Sequence, residues 1–507
     1  MNKKITLFSL ATITFFLPAL SSNDQEEKPD PEDERHAWIK TTADIISMVD
    51  DKGFRKEVTF AECMQDALKA YLAKIDAHTC FFTAKGHQSM KDTATGKFSG
   101  IGVSITGKSL EDDSLVLVDV VEGGPAEKAG LLQGDKIYEV DGFKLQGLSS
   151  DEAIGKIKGK LGTFVKLKII RNKKPLEFKV KRDVVKDEPS IWYRFQDHDI
   201  YYCALKIFNE PAAQQMKTMI QKMEAHPCKG LIIDLRNNPG GILESAIDIA
   251  ALFVPKGSTI VTTKNNKNQV MNTYKTNAEP IIKKAMPIFI ITNNFTASAA
   301  EILTGCLTFY AEHGNNRQLQ VFSVGTKTHG KGSVQEVIPV GQGCAMKLTT
   351  MLYYLPNNVS IQAVGIEPDF LVKPKTTPEK ELKWIEETYG RETSMKNHIT
   401  PLEIKKIEGK PITKEDEAAA KKEQGKKEAG AAEEDADIAA LTPAQREEKR
   451  QKDLSQNLQI QTCINMINML SLAHKACPDQ VASRKKAITF LQKNYQTDSS
   501  TKLELIK

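Results

Sequence analysis

Between Ile200 and Thr308 short apolar runs alternate with stretches of helical spacing, and this alternation limits the architecture more tightly than any other feature of the chain. The apolar runs are Tyr201 to Lys206, Leu231 to Leu235 and Ile288 to Ile291. The helical patterns fall near Ala212 to Met223, Leu243 to Phe253 and Ala297 to Thr308. Adjacent parallel strands need crossover connections, so the alternation predicts an α/β domain of repeated βα units. Ligands of such domains sit in crevices at the carboxyl ends of the strands, and the chemistry is expected there.

The 507 residues exceed what one hydrophobic core supports, and the sequence divides into further segments. Met1-Asn2-Lys3-Lys4, the apolar run Ile5 to Leu20 and the small residues of Ala19-x-Ser21 read as a secretory signal over residues 1–21. The run falls short of the ~20 apolar residues that span a bilayer, and a retained anchor is the alternative. The mature chain is thus expected to be exported, to the periplasm. Residues 22–95 form a helical N-terminal domain, with Met64, Leu68, Tyr71 and Ile75 at helical spacing. Residues 96–184 change to short alternating strands punctuated by Gly and Pro, a compact β module. The α/β domain fills residues 185–375. Residues 376–507 combine a charged, Ala-rich tract over 414–452 with an apolar-periodic stretch, Leu454 to Tyr495, that predicts a helical C-terminal extension.

A net charge of +5 is small for this length and gives no argument for nucleic acid. Export would allow disulfides, and Cys63 with Cys80 and Cys463 with Cys477 are the candidate pairs; buried free thiols are the alternative. The cysteines show no Cys-x-x-Cys spacing and the histidines no His-Glu-x-x-His, so neither a metal nor another cofactor is expected.

Three segments carry chemistry. In Asp234-Leu235-Arg236-Asn237-Asn238-Pro239-Gly240-Gly241 an apolar strand runs into a turn whose glycines let backbone N–H groups face a ligand. In Thr292 to Glu301 a strand opens into an Ala-rich helix, which puts Ser298 at a helix N-terminus where backbone N–H groups favour developing negative charge. In Gly325 to Gln335 a loop holds Lys331 between two glycines. Taken singly, these segments are also what a plain turn, an N-cap serine and a solvated lysine look like.

Together, Asn238-Pro239-Gly240-Gly241, Ser298-Ala299-Ala300-Glu301 and Gly330-Lys331-Gly332-Ser333-Val334-Gln335 have the order and approximate spacing of the C-terminal processing peptidases, or tail-specific proteases. The resemblance runs from Asp76-Ala77-His78-Thr79 to Gly365-Ile366-Glu367-Pro368-Asp369, roughly residues 40 to 375. It implies a multidomain α+β protein with an α/β serine protease core, in which Ser298 is the nucleophile, Lys331 the general base and Gln335 the residue that orients the lysine. The family often has a second serine where this chain has Ala300. A lysine of ordinary pKa, ~10.4, is protonated at neutral pH, so Lys331 must be desolvated to act as a base. The oxyanion is expected to be held by the N–H of Ala299 and one from Gly240 or Gly241. His329 is a competing base for which the sequence offers no acidic partner.

Phe98-Ser99-Gly100-Ile101-Gly102-Val103, Gly123-Gly124-Pro125-Ala126 and Gly134-Asp135-Lys136-Ile137 resemble a PDZ domain. That likeness implies that Gly100, Ile101, Gly102 and Val103 bind the terminal carboxylate and strand of a peptide. Arg171, after the strand Val165 to Ile170, is a candidate for coupling peptide binding to the active site. The expected partners are protein or peptide substrates with free C-termini, with the C-terminal region as a surface for an adaptor or a second copy. A scaffold with a PDZ module and an inert α/β domain is the rival reading, and it leaves the coincidence of Ser298, Lys331 and Gln335 unexplained.

Overall fold

The computed structural model of the protein describes residues 31–53, 59–108, 114–121, 123–148, 150–186, 188–314, 319–374, 391–414, 416 and 443–495. The expected secretory signal lies outside them, as does most of the charged tract. The chain divides into two compact units, residues 1–64 and 65–507. The first contains the helix Pro31–Lys52, which carries Glu32, Asp33 and Glu34 in its first turn and Lys52 in its last, charges that complement the helix dipole. The helix Phe60–Leu72 crosses the division; Leu72 is its buried residue, while Leu68 and Tyr71 of the apolar spacing are exposed. None of the described helices is long and apolar enough to cross a membrane.

Within the second unit the β module is an antiparallel sheet with strand order Val103–Lys108, Leu115–Val120, Lys136–Val140, Phe164–Arg171, Lys174–Lys181. Val165, Leu167 and Ile169 alternate inward onto Ala153 and Ile157 of the helix Ser150–Ile157. A two-stranded ribbon, Lys97–Gly100 with Asp183–Lys186, joins the entry of the module to its exit.

The α/β domain is built on a six-stranded sheet in the order Ser190–Phe195, Ile200–Leu205, Gly230–Asp234, Met286–Thr292, Leu319–Gly325, Phe370–Leu371. The first pair is antiparallel and the rest are parallel. Both central strands are buried at every position, as a sheet covered on both faces requires. The helices Glu210–Glu224, Leu243–Ala250 and Ala299–His313 cover one face. The C-terminal helices Leu458–Ala476 and Arg484–Asn494 cover the other, so this apolar-periodic stretch is a structural layer of the domain. It is pinned by polar contacts as well: Arg484 donates to the Val321 carbonyl and to both Asp369 oxygens, and Gln459 to the Val372 carbonyl. A second sheet pairs Ser333–Gly341 with the long strand Cys344–Tyr354, which also pairs with Cys80–Phe82 and Thr259–Lys264.

All eight cysteines are free thiols. Cys463 lies within the helix Leu458–Ala476 and Cys477 caps its end. A helical rise of ~1.5 Å per residue separates them by roughly 20 Å, far beyond disulfide reach.

Candidate active site

The strand Met286–Thr292 hands the chain to the helix Ala299–His313 through a loop stitched to its neighbour. Thr296 Oγ1 donates to the Leu235 carbonyl at 2.8 Å, the Ala297 N–H to the Asn238 carbonyl at 3.0 Å, and the Asn237 N–H to Asn293 Oδ1 at 3.0 Å. These bonds hold Ser298 at φ 56°, ψ −118°, a conformation that costs a non-glycine residue roughly 1–3 kcal/mol. Ala299 follows as the first helical residue, with one of the N–H groups that no helical carbonyl can reach.

Gly240 lies against this junction. A Cβ on it would stand 2.8 Å from Ser298 Cβ and 2.9 Å from the Ala299 nitrogen, so no larger residue fits. Its N–H is already committed, donating to Asn238 Oδ1 at 2.8 Å. Gly241 is exposed, at φ 148°. Of the two glycines, therefore, Gly240 provides the close approach to the Ser298–Ala299 junction.

The side chain that joins the Ser298 segment to the Lys331 loop is Glu301, which is fully buried. Its Oε2 accepts the N–H groups of both Ser298 and Lys331, each at 2.9 Å. Its Oε1 accepts the Gly330 N–H at 2.8 Å and the Thr328 hydroxyl at 2.5 Å. Tyr353, also buried, repeats the link through the carbonyls: its hydroxyl donates to Lys331 O and lies 3.3 Å from Ser298 O. Residues far apart in sequence are thus tied together through both their N–H and C=O groups. Burial pushes the Glu301 carboxyl up to about 7, against the Thr328, Gly330 and Ser298 hydrogen bonds that lower it.

Burial is the largest cause holding the Lys331 ammonium below its ordinary value, and the charge of Lys347 adds to it; Glu392, Glu301 and Asp76 pull the other way. Among the described residues no hydrogen bond or ion pair engages the Lys331 ammonium. The Gln335 NH2 donates to Ser333 Oγ at 2.8 Å and to Thr349 Oγ1 at 3.3 Å, and the Thr349 hydroxyl donates to Asp76 Oδ1 at 3.0 Å. No direct bond joins Gln335 to Lys331.

Sequence reasoning missed a second buried carboxylate. Glu392 receives His78 Nε2 at 2.9 and 2.8 Å on its two oxygens, Gln362 Nε2 at 2.7 Å and His329 Nε2 at 3.4 Å. Gln362 in turn accepts the N–H of Gly332, next to Lys331, at 2.7 Å. Burial works to raise the Glu392 pKa, but hydrogen bonds from His329, His78 and Gln362, together with the His78 charge, hold it well below the usual carboxylate range. His329 therefore does have an acidic neighbour, in a segment distant in sequence.

In the β module, the Ile101 carbonyl accepts the Ala126 N–H at 2.7 Å and the Gly102 carbonyl accepts the Val121 N–H at 2.9 Å, with Gly102 at φ 76°. Gly100 ends the ribbon strand, and Val103 opens the strand Val103–Lys108, which stands at the edge of the sheet paired with Leu115–Val120. Arg171 donates to both oxygens of Asp135, at 2.6 and 2.7 Å, and to the Gly130 carbonyl at 2.8 Å. Those bonds all stay inside the module.

Residues 199–372 match the model of peptidase family S41, and residues 99–181 match that of the PDZ domain. A carboxy-terminal-processing protease of Bartonella bacilliformis is 34% identical over 342 residues, 66% of this chain and 75% of that protein. The carboxy-terminal processing protease CtpB of Bacillus subtilis is 30% identical over 365 residues, 71% of each chain. Among solved structures, a photosystem II D1 C-terminal processing protease aligns over 71% of this chain and 92% of its own, at 23% identity and a TM-score of 0.41.

Proposed function

The chain belongs to the C-terminal processing proteases of peptidase family S41, serine-type peptidases with a PDZ domain, and on that premise we propose that it cuts exported proteins with a Ser298–Lys331 dyad after capturing their C-termini. The observation that carries this reading is the shared acceptor: one oxygen of Glu301 takes the N–H of both Ser298 and Lys331.

In the proposed reaction a neutral Lys331 amine takes the Ser298 hydroxyl proton as Oγ bonds to the scissile carbonyl carbon. The N–H groups of Ala299 and Gly241 stabilise the oxyanion, donors of a kind worth ~3 kcal/mol each. As the tetrahedral intermediate collapses, the C–N bond breaks and Lys331 returns the proton to the leaving amine. Water then hydrolyses the acyl-enzyme by the same proton route. The desolvation of Lys331 supports its role as base, since it disfavours the ammonium. Gln335 would hold the amine in line through its carbonyl oxygen, a bond that would form with substrate in place. Gly100 to Val103 would take the substrate's terminal carboxylate, with the edge strand Val103–Lys108 adding the peptide as a further strand. The basic and apolar start of the chain supports export to the periplasm.

The test is cleavage of an unfolded reporter with an apolar C-terminus by wild type, Ser298→Ala and Lys331→Ala, repeated with an amidated reporter. Both variants should lose cutting by ~10³-fold or more while remaining folded, and amidation should raise KM. Full activity in Lys331→Ala would overturn the dyad. Indifference to amidation would overturn carboxylate capture.

A further inference from the structure

Asp76 ends the N-terminal helical segment, and the reaction as drawn gives it no task. It is nevertheless buried and accepts four hydrogen bonds: the N–H groups of His78 and Thr79 at 2.8 and 2.9 Å, the Thr79 hydroxyl, and the Thr349 hydroxyl at 3.0 Å. We propose that Asp76 is a positioning residue for catalysis: through the Thr349 hydroxyl it fixes which way round the Gln335 amide stands, so that the Gln335 carbonyl oxygen is left to face Lys331. This inference rests on the reading of Lys331 as base and Gln335 as its partner.

Donors and acceptors decide the orientation. An amide can be turned over, exchanging its oxygen for its NH2 at little steric cost, and only its partners decide which face each presents. The NH2 of Gln335 meets two hydroxyl oxygens, Ser333 Oγ and Thr349 Oγ1. Ser333 alone would not decide the orientation, because a hydroxyl donates as readily as it accepts. Thr349 does decide it. An ionised carboxylate only accepts, so the single Thr349 proton must point at Asp76, and its oxygen can then only accept from Gln335. Thr79 locks the arrangement from the other side, donating its hydroxyl proton to Asp76 and accepting the Thr349 N–H at 3.1 Å. In the turned amide an NH2 would face the lysine amine and offer no acceptor to hold it.

Charge alone makes the opposite claim. The Asp76 carboxylate favours protonated Lys331, so removing the charge by itself would free the base. The variants separate the two effects. Asp76→Asn can keep an oxygen where Asp76 Oδ1 meets Thr349 and the two backbone N–H groups, while it abolishes the charge. Asp76→Ala removes the acceptor altogether. Thr349→Val removes the relay without touching the bonds of Asp76 to residues 78 and 79, and Thr349→Ser restores it.

Steady-state cleavage of a peptide reporter by the full-length protein should show kcat reduced roughly 10- to 100-fold in Asp76→Ala and Thr349→Val, with KM within about 2-fold. Asp76→Asn and Thr349→Ser should stay within about 3-fold of wild type. In a Gln335→Ala background, Thr349→Val should cost nothing further, because the two act through one contact. If Asp76→Ala fails to fold, Thr349→Val carries the test. Wild-type kcat in Thr349→Val alongside a damaged Gln335→Ala would overturn the inference and leave the role of Gln335 standing. Wild-type kcat in Gln335→Ala would remove the reading on which it rests.

Discussion

Glu301 and Glu392 are both fully buried beside the loop that carries Lys331, yet their carboxyl groups are displaced in opposite directions. The partners of Glu301 are neutral: one hydroxyl and three backbone N–H groups, two on each oxygen. Those of Glu392 include two histidine rings as well as the Gln362 amide. Four neutral donors leave the desolvation of a carboxylate only partly offset, and Glu301 rises to about 7; ring donors with the His78 charge reverse the balance at Glu392. The same protein thus holds one carboxylate as an acceptor that joins two chain segments and another as a fixed anion. Both favour the charged form of Lys331, so burial and the Lys347 charge must outweigh them for Lys331 to act as the proposed base.

The largest effect is expected at the joining carboxylate. Because each Glu301 oxygen already meets two donors, Glu301→Gln sets an NH2 against two of them whichever way the amide turns. The kcat should fall ~10²-fold with KM little changed, and unfolding in denaturant should show a loss of about 2 kcal/mol. Unchanged kcat would sink the idea that the shared acceptor aligns Ser298 with Lys331. The pH dependence has a defined sign. The folded-state pKa of Glu301 lies above its unfolded value, so its contribution to stability is full below about 4.5 and is lost as pH rises through about 7. Wild type should therefore lose ground relative to Glu301→Gln as pH rises across that window.

This contrast between the two carboxylates also marks what the sequence made legible. The sheet could be read because apolar strands buried on both faces leave unbroken runs such as Leu231 to Leu235, and the helices between them keep their own period. Ordered motifs single out Ser298, Lys331 and Gln335 as the candidate site residues. Glu301 stood inside one of those motifs without a role, although its position three residues after Ser298 is a capping-box signal that could have drawn attention to it. Glu392 left no such trace, and Asp76 likewise stood in the Asp76-Ala77-His78-Thr79 motif without a role. Their partners, His78 and Thr349, lie 314 and 273 residues away, and no local pattern records a contact made only by folding. That the Gly240 N–H is committed to Asn238 is likewise a contact the motif does not record.

At the fixed anion the expected effect is on stability. Glu392→Gln removes the charge facing His78, His329 and Lys331 and should cost roughly 2–3 kcal/mol at pH 7. The sign here is reversed. A folded-state pKa below the unfolded value gives stability that is present above about 4.5 and lost as pH falls through the folded value. The gap between wild type and Glu392→Gln should accordingly shrink in acid, where that between wild type and Glu301→Gln moves in favour of wild type. Parallel slopes for the two variants would break the comparison.

The smallest effect is expected at His329, and it bears on the identity of the base. His329 reaches Glu392 at 3.4 Å, whereas His78 meets both its oxygens at 2.9 Å or less. The His329 backbone is held independently of its ring, its N–H donating to the Thr296 carbonyl and its carbonyl accepting the Glu392 N–H. His329→Gln should thus cost under about 1 kcal/mol of stability and leave kcat within about 3-fold of wild type. A histidine acting as base would behave otherwise, since loss of a triad member lowers kcat by ~10⁴-fold or more. The acidic neighbour that the sequence withheld from His329 makes this a fair contest: a collapse of kcat in His329→Gln, with Lys331→Ala still active, would move the general base from the lysine to the histidine.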